Sequence, residues 1–197
     1  MLVFTHSVMG AGKSAILIAK ASTNYEHSLI FKPLIDQRDG LTKIVSRNGS
    51  SIDTGILCFN GSFADTLKIL EIAKREKESS TGHSIKYIYV DEAQFLSEIE
   101  VEALLTFSLK YDIIIECYGL LTDFKSRLFE GSKRLIELAD KIEHIAAYSR
   151  NGEIAKQNAR VIDDKIIHSG EQILLGKEEV YRAVSNREYW GNLNGDK

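Results

Sequence analysis

Apolar residues in this chain follow two alternating rhythms. Residues 2–5 are a short unbroken apolar run, and residues 13 to about 25 place apolar side chains at helical spacing. A glycine-containing turn separates the two. Residues 28–32 read as a second strand, which Pro33, the single proline, would end. Residues 36–56 show no strong period and are rich in Gly, Ser and Asp, so a mobile loop region is expected. Residues 62–77 suit an amphipathic helix, with Phe63, Leu67, Leu70 and Ile72 spaced among charges, followed by a solvated polar stretch over 74–83. Residues 85–90 are β-branched and aromatic, as a buried strand requires. A helix over 97–110 opens with Ser97 and Glu100 in capping-box spacing. Further elements are expected at 113–118 (strand), 125–139 (helix) and 142–147 (strand).

Strands alternating with helices at this spacing predict an α/β fold, a mainly parallel sheet flanked by helices. After Tyr148 the texture changes to short apolar runs at 159–162, 166–167 and 172–175, separated by turn signals. A small β-rich C-terminal lobe follows, giving expected units of 1–147 and 148–197.

Composition narrows the class. With 44% hydrophobic and 27% charged residues over 197 positions, the chain can bury a full core. No apolar run reaches the roughly 18 residues a membrane helix needs. The opening residues 1–6 are too short and uncharged for a signal peptide, so a cytoplasmic address is expected. A net charge of −3 speaks against a general nucleic-acid binder. Two cysteines, Cys58 and Cys117, make neither a disulfide framework nor a zinc site on their own. The five histidines show no pairing pattern and receive no chemistry.

Two segments carry chemistry. The first strand runs into Ser7, Val8, Met9, Gly10, Ala11, Gly12, Lys13 and Ser14. These match a phosphate loop, G-x-x-x-x-G-K-[ST], except for Ser7 in the first position. Backbone N–H groups of such a turn, with the start of the next helix, face an anion. Lys13 would meet the β- and γ-phosphates of ATP, and the Ser14 hydroxyl would meet Mg²⁺. The second segment is the strand ending in Asp91 and Glu92, followed by Ala93, Gln94 and Phe95. An acidic pair at a strand tip is the metal-holding half of a P-loop site. Asp91 is positioned for the Mg²⁺ shell, and Glu92 is free to act as a base. A kinase, a helicase-like ATPase module and a nucleotide-sensing module all remain open on these residues. A helicase core needs two such domains and a basic track.

The same residues resemble the type II thymidine kinase family, its bacterial members in particular, over nearly the whole chain. Bacterial members have a loop of the form Y-S-x-M-x-A-G-K-S, which accounts for Ser7 and Met9. The segment from Asp91 to Phe95 resembles D-E-x-Q-F. Tyr118, Gly119 and Leu120, then Asp123 and Phe124, then Phe129, Gly131 and Ser132, resemble Y-G-L, D-F-R and F-x-G-S. Asp36 and Arg38 with Ser46, Arg47 and Gly49 resemble D-x-R and S-x-x-G, and Gly176 with Tyr181 resembles G-G-x-x-x-Y.

The resemblance implies transfer of the γ-phosphoryl of ATP to the 5′-hydroxyl of thymidine. Glu92 would be the base, and Arg38 would stabilise charge at the transferring group. Asp36 would hold a magnesium-bound water. Thymine would lie among Met9, Phe95, Leu120, Phe124 and Tyr181. Backbone groups around Ile173 to Gly176 would read its edge from a covering loop. Taken without the family, Leu120, Phe124 and Phe129 could equally be plain core, and Tyr181 could simply pack the small lobe. Family members are commonly homotetramers inhibited by dTTP, and deoxyuridine is a second candidate substrate.

The chain departs from the family at its structural zinc. Relatives place a cysteine pair after the last main strand and a Cys-x-x-Cys or Cys-x-x-His near the C-terminus. Here residues 148–152 contain no cysteine, and Ser185 and Glu188 stand in the second region. No zinc ligands are expected. The lobe is instead expected to be held by Val161, Ile162, Ile166, Ile167, Ile173, Leu174, Tyr181 and Trp190. Lys177 replaces the second Gly of G-G, and Leu121 sits where some members have an acidic residue.

Overall fold

The structure, a computed structural model, describes residues 1–37, 40–57, 62–162, 165–170 and 180–191. Six strands form one parallel sheet, in the order β5 (Gly55–Leu57), β2 (Ser28–Pro33), β6 (Tyr87–Val90), β7 (Ile114–Gly119), β1 (Leu2–His6) and β8 (Lys141–His144). Side chains on these strands alternate between two covered faces. Leu29, Phe31, Ile88, Val90, Ile115 and Cys117 pack with Leu70, Val101, Leu104, Phe107 and Leu135. Those five come from α2 (Phe63–Thr81), α3 (Glu98–Tyr111) and α4 (Glu130–Leu138). Ile30, Tyr89 and Tyr118 point the other way, against Leu17, Ile18 and Ala21 of α1 (Lys13–Thr23). Cover on both faces explains why these strands read as continuous apolar runs. Each buried side chain of this size contributes roughly 1.5–3 kcal/mol.

The starts of α2 and α3 agree with their sequence signals. Ser97 and Glu100 form the expected capping box, with the Ser97 N–H donating to Glu100 Oε2 at 2.8 Å. Ser62 and Asp65 form another at the start of α2.

Two expectations for the parallel-sheet region need correction. Residues 36–56 are not simply a loop. They contain an antiparallel hairpin, β3 (Lys43–Val45) with β4 (Ser51–Asp53), and then the edge strand β5. Ile44 and Ile52 are buried against α1. Each hairpin strand has three residues and one inward apolar side chain, too few to display a period. The helix expected over 125–139 starts only at Glu130. Asp123 Oδ1 accepts from the Lys125 and Arg127 N–H groups at 2.8 and 2.9 Å, so a side chain closes a turn where helix would otherwise begin.

A smaller antiparallel sheet follows, ordered β10 (Lys165–Ile167), β9 (Gln157–Ile162), β11 (Val180–Val184). The strand expected over 172–175, with Ile173 and Leu174, lies outside the described residues. Ala159, Val161 and Val184 pack on Tyr189 of α5 (Asn186–Gly191), with Ile166 beside them. Ile162 and Trp190, expected in this core, are instead nearly half exposed. Strand alternation sends Val161 inward and therefore Ile162 outward. Among the described residues, no helix is long and apolar enough to cross a membrane.

Candidate active site

In a parallel sheet every strand delivers its C-terminal end to one edge, where open α/β sheets bind ligands. Here that edge collects the turn after β1, the acidic pair after β6 and the Gly119–Leu120 step after β7. Gly10 and Gly12 take φ of 75° and 85° there, left-handed values that a side chain would strain. They bend the chain so that α1 begins at Lys13. Lys13 is buried, and its Nζ donates to the Val8 carbonyl at 2.9 Å, which holds the ammonium inside the turn. Ser7 closes the base of the loop, its hydroxyl donating to the Ile145 carbonyl at 2.6 Å and its N–H to Gly119 at 3.3 Å. Ala11 lies half-buried between the two glycines.

Asp91 is buried at the tip of β6, and the Ser14 hydroxyl donates to its carboxylate. Desolvation, followed by the neighbouring Glu92 charge, holds the Asp91 carboxyl well above its ordinary range, and the Ser14 hydrogen bond opposes the shift. A buried carboxylate beside a hydroxyl and an ammonium, next to a glycine turn, suits magnesium with a triphosphate, since hard cations take oxygen ligands. Ser14 and Asp91 are the residues that would hold the metal.

Glu92 adopts φ 48°, a left-handed conformation for a non-glycine residue. Gln94 fixes it. The Gln94 Nε2 donates to Glu92 Oε2, while Gln94 Oε1 accepts from the Leu120 N–H at 3.0 Å. A Cβ on Gly119 would stand 2.7 Å from Gln94 Oε1, so glycine is required for this approach. Ala93 is fully buried in the main core and offers only its backbone.

The Phe95 ring meets Phe129 edge-on at 5.8 Å between centroids. Leu120 is half-buried, and Phe124 is buried. Tyr181 on β11 does not join the lobe's apolar cluster. Its hydroxyl accepts from Arg160 Nη2 at 2.9 Å and Nε at 3.2 Å. The Arg160 guanidinium carbon lies 3.8 Å from the centre of the Phe124 ring. Asp36 is buried 3.8 Å from Lys32 Nζ. Arg38, Ile173 and Gly176 lie outside the described residues.

Three site residues escaped the sequence reading. Asn158 joins the two sheets, with its Oδ1 accepting from the Met9 N–H at 2.8 Å and its Nδ2 donating to the Thr122 carbonyl at 3.0 Å. Arg160, two residues along β9, shares that strand face. Polar Asn158 and Arg160 alternating with apolar Ala159 and Val161 were the available signal. The third is Arg47, which the motif match included without giving it a role.

The thymidine kinase family model matches residues 1–189. The chain is 36% identical to "Thymidine kinase" of Enterobacteria phage T4, over 98% of this chain and 96% of that protein. It is also 36% identical to "Thymidine kinase" of Haemophilus influenzae strain ATCC 51907, over 95% of each chain. The chain belongs to the thymidine kinase family. Among solved structures, the Legionella pneumophila ATPase DotB is similar at TM-score 0.39 and 14% identity, over 78% of this chain and 42% of that one, too distant to bear on function.

The family resemblance implies a structural zinc in the small lobe of relatives. Among the described residues of this member, no three His, Cys, Asp or Glu side chains converge to hold a metal. The two segments concerned are joined by hydrogen bonds. Asn151 Nδ2 donates to Glu188 Oε1 at 3.0 Å, and Ser185 and Glu188 cap α5 reciprocally at 2.8 and 3.1 Å.

Proposed function

We propose that this member of the family is a thymidine kinase that transfers the γ-phosphoryl of ATP to the 5′-hydroxyl of thymidine, giving dTMP and ADP for nucleoside salvage. The observation that supports this reading best is the Gln94 bridge, which ties the Glu92 carboxylate to the Leu120 backbone at the same sheet edge as the phosphate loop. Glu92 takes the proton of the 5′-hydroxyl as that oxygen attacks the γ-phosphorus. The bond from the γ-phosphorus to the β–γ bridging oxygen breaks, and the electron pair leaves with ADP. Lys13 and the loop N–H groups hold the phosphates, and Arg38 adds charge at the transferring group. Magnesium, when bound by Ser14 and Asp91, neutralises charge on the triphosphate. Buried Asp91 favours such a cation because it relieves the cost of ionising that carboxyl. Asp36 orients a water of the metal shell.

Thymine lies in an apolar slot formed by Met9, Phe95, Leu120, Phe124 and Tyr181, with Ile173 and Gly176 supplying backbone contacts. Arg160 supports the slot by holding Tyr181 against Phe124. The family resemblance supports deoxyuridine as a second substrate, dTTP as feedback inhibitor, a homotetramer and a cytoplasmic address. Residues 1–147 form the nucleotide-binding unit and residues 148–197 the small lobe that covers the nucleoside. In this reading the lobe needs no zinc, because the Asn151–Glu188 hydrogen bond joins the two segments and Ser185 holds Glu188 in place.

Mass-spectrometric detection of dTMP formed from thymidine and Mg-ATP tests the function. The proposal requires dTMP in proportion to ADP. ATP hydrolysis stimulated by nucleic acid, with thymidine left intact, would identify the helicase-like alternative instead.

A further inference from the structure

The β3–β4 hairpin ends in a turn, residues 46–50, that leans over the phosphate loop. Ile44 and Ile52 anchor it to Leu17, Ile18 and Ala21, so the hairpin is fixed to the helix that the loop opens. The turn is closed on itself. The Ser46 N–H donates to the Ser50 carbonyl at 2.8 Å, and the Gly49 N–H donates to the Ser46 carbonyl at 2.9 Å. Asn48 Oδ1 accepts from the Ser46 hydroxyl and, at 3.1 Å, from the Ser50 N–H. These bonds fix the backbone on both sides of Arg47. The Arg47 side chain then reaches across to the loop, where a Cβ on Gly10 would stand 3.1 Å from Nη1 and 3.8 Å from Cζ.

That location is electrostatically unfavourable for a cation by itself. Lys13 lies in the same turn, and the N-terminus of α1 adds about half a positive charge. Among the described residues, no carboxylate pairs with the Arg47 guanidinium. A polyanion in the turn removes the conflict, and a planar guanidinium matches phosphate oxygens two at a time.

We propose that Arg47 is a phosphate-binding residue whose guanidinium donates hydrogen bonds to the triphosphate held by the 7–14 turn, closing over it from the hairpin side. Gly10 is then doubly constrained, by its backbone conformation and by the room that Arg47 needs. The proposal rests on the kinase reading above, in which this turn holds ATP.

Isothermal titration of the full chain with ATP, and separately with thymidine, tests it in wild type, Arg47→Ala and Arg47→Lys. Arg47→Ala should weaken ATP binding by about 10- to 100-fold, the worth of hydrogen bonds to a charged group. Its thymidine affinity and melting temperature should match wild type, because the side chain is exposed and holds no element in place. Arg47→Lys should recover part of the loss by restoring charge without the fork. Unchanged ATP affinity in Arg47→Ala overturns the proposal, as does an equal loss of thymidine affinity, which would mean general distortion. Wild-type protein that binds no ATP would refute the kinase reading itself, an outcome separable from the other two.

Discussion

The edge of the parallel sheet and the small antiparallel sheet position side chains by different means. At the edge, backbone conformation does the positioning. Gly10, Gly12 and Glu92 sit at positive φ, and Gly119 makes room for Gln94. Around them is a core covered on both faces of the sheet. Around the small sheet, four buried apolar residues among the described ones form the cluster, and polar side chains do the joining: Asn158 to Met9 and Thr122, Arg160 to Tyr181, Asn151 to Glu188. The first arrangement suits chemistry that tolerates no displacement, since phosphoryl transfer depends on alignment. The second suits the proposed role of a region that covers a nucleoside and then releases it.

Removing one cation from each region should separate the two most clearly. Lys13→Ala should lower kcat and nucleotide affinity together, by about 10²–10³-fold in kcat. Arg160→Met should raise the KM for thymidine by about tenfold, the worth of roughly one lost cation–π and hydrogen-bonded anchor, with the KM for ATP unchanged. Steady-state kinetics with each substrate varied separates the two effects. If Arg160→Met altered the KM for ATP as much as that for thymidine, the two regions would not be independent.

Much of the first region was legible in the sequence, and less of the second. The loop from Ser7 to Ser14 and the pair Asp91 and Glu92 are local: each lies within one strand–turn unit, and its chemistry follows from adjacent residues. The strands themselves declared their burial by unbroken apolar runs. The role of Gln94 depends on Leu120, 26 positions away, and no local pattern carries such a contact. Asn158 reaches Met9 across 149 positions. The hairpin strands were too short to show a period, and Asp123 replaced the start of a helix by side-chain hydrogen bonds that propensity does not register. Trp190 looked like core because it is large and apolar, yet Tyr189 occupies that position.

A pH titration bears on the seam where the two regions meet. The His6 and His144 rings lie 5.2 Å apart, a pairing the sequence did not suggest. Burial first, then His144, Lys156 and Lys13, lower the His6 pKa from the usual 6.5 to about 4. Folded protein therefore keeps His6 neutral while unfolded protein takes up a proton below pH 6.5. Stability should fall as pH drops from about 6.5 to 4, and His144, shifted the same way by burial, adds to the loss. Melting curves of wild type and His6→Gln across that window should show the smaller loss in the variant. Equal losses would remove His6 from the account.

Chelation should have the smallest effect. With Asn151, Ser185 and Glu188 joined by hydrogen bonds, a zinc chelator should leave the melting temperature unchanged, and metal analysis of tag-free protein should find no stoichiometric zinc. One zinc per chain, or a large drop on chelation, would show that the small lobe is held by metal after all.

The proposed transfer turns on Glu92, set at positive φ and tied to Gln94, as the base. Its most direct test is the rate of dTMP formation by Glu92→Gln at saturating thymidine and Mg-ATP, alongside a titration of ATP binding. In this variant kcat should be lower by about 10²–10⁴-fold with ATP still bound. A variant that turned over at close to the wild-type rate would contradict it.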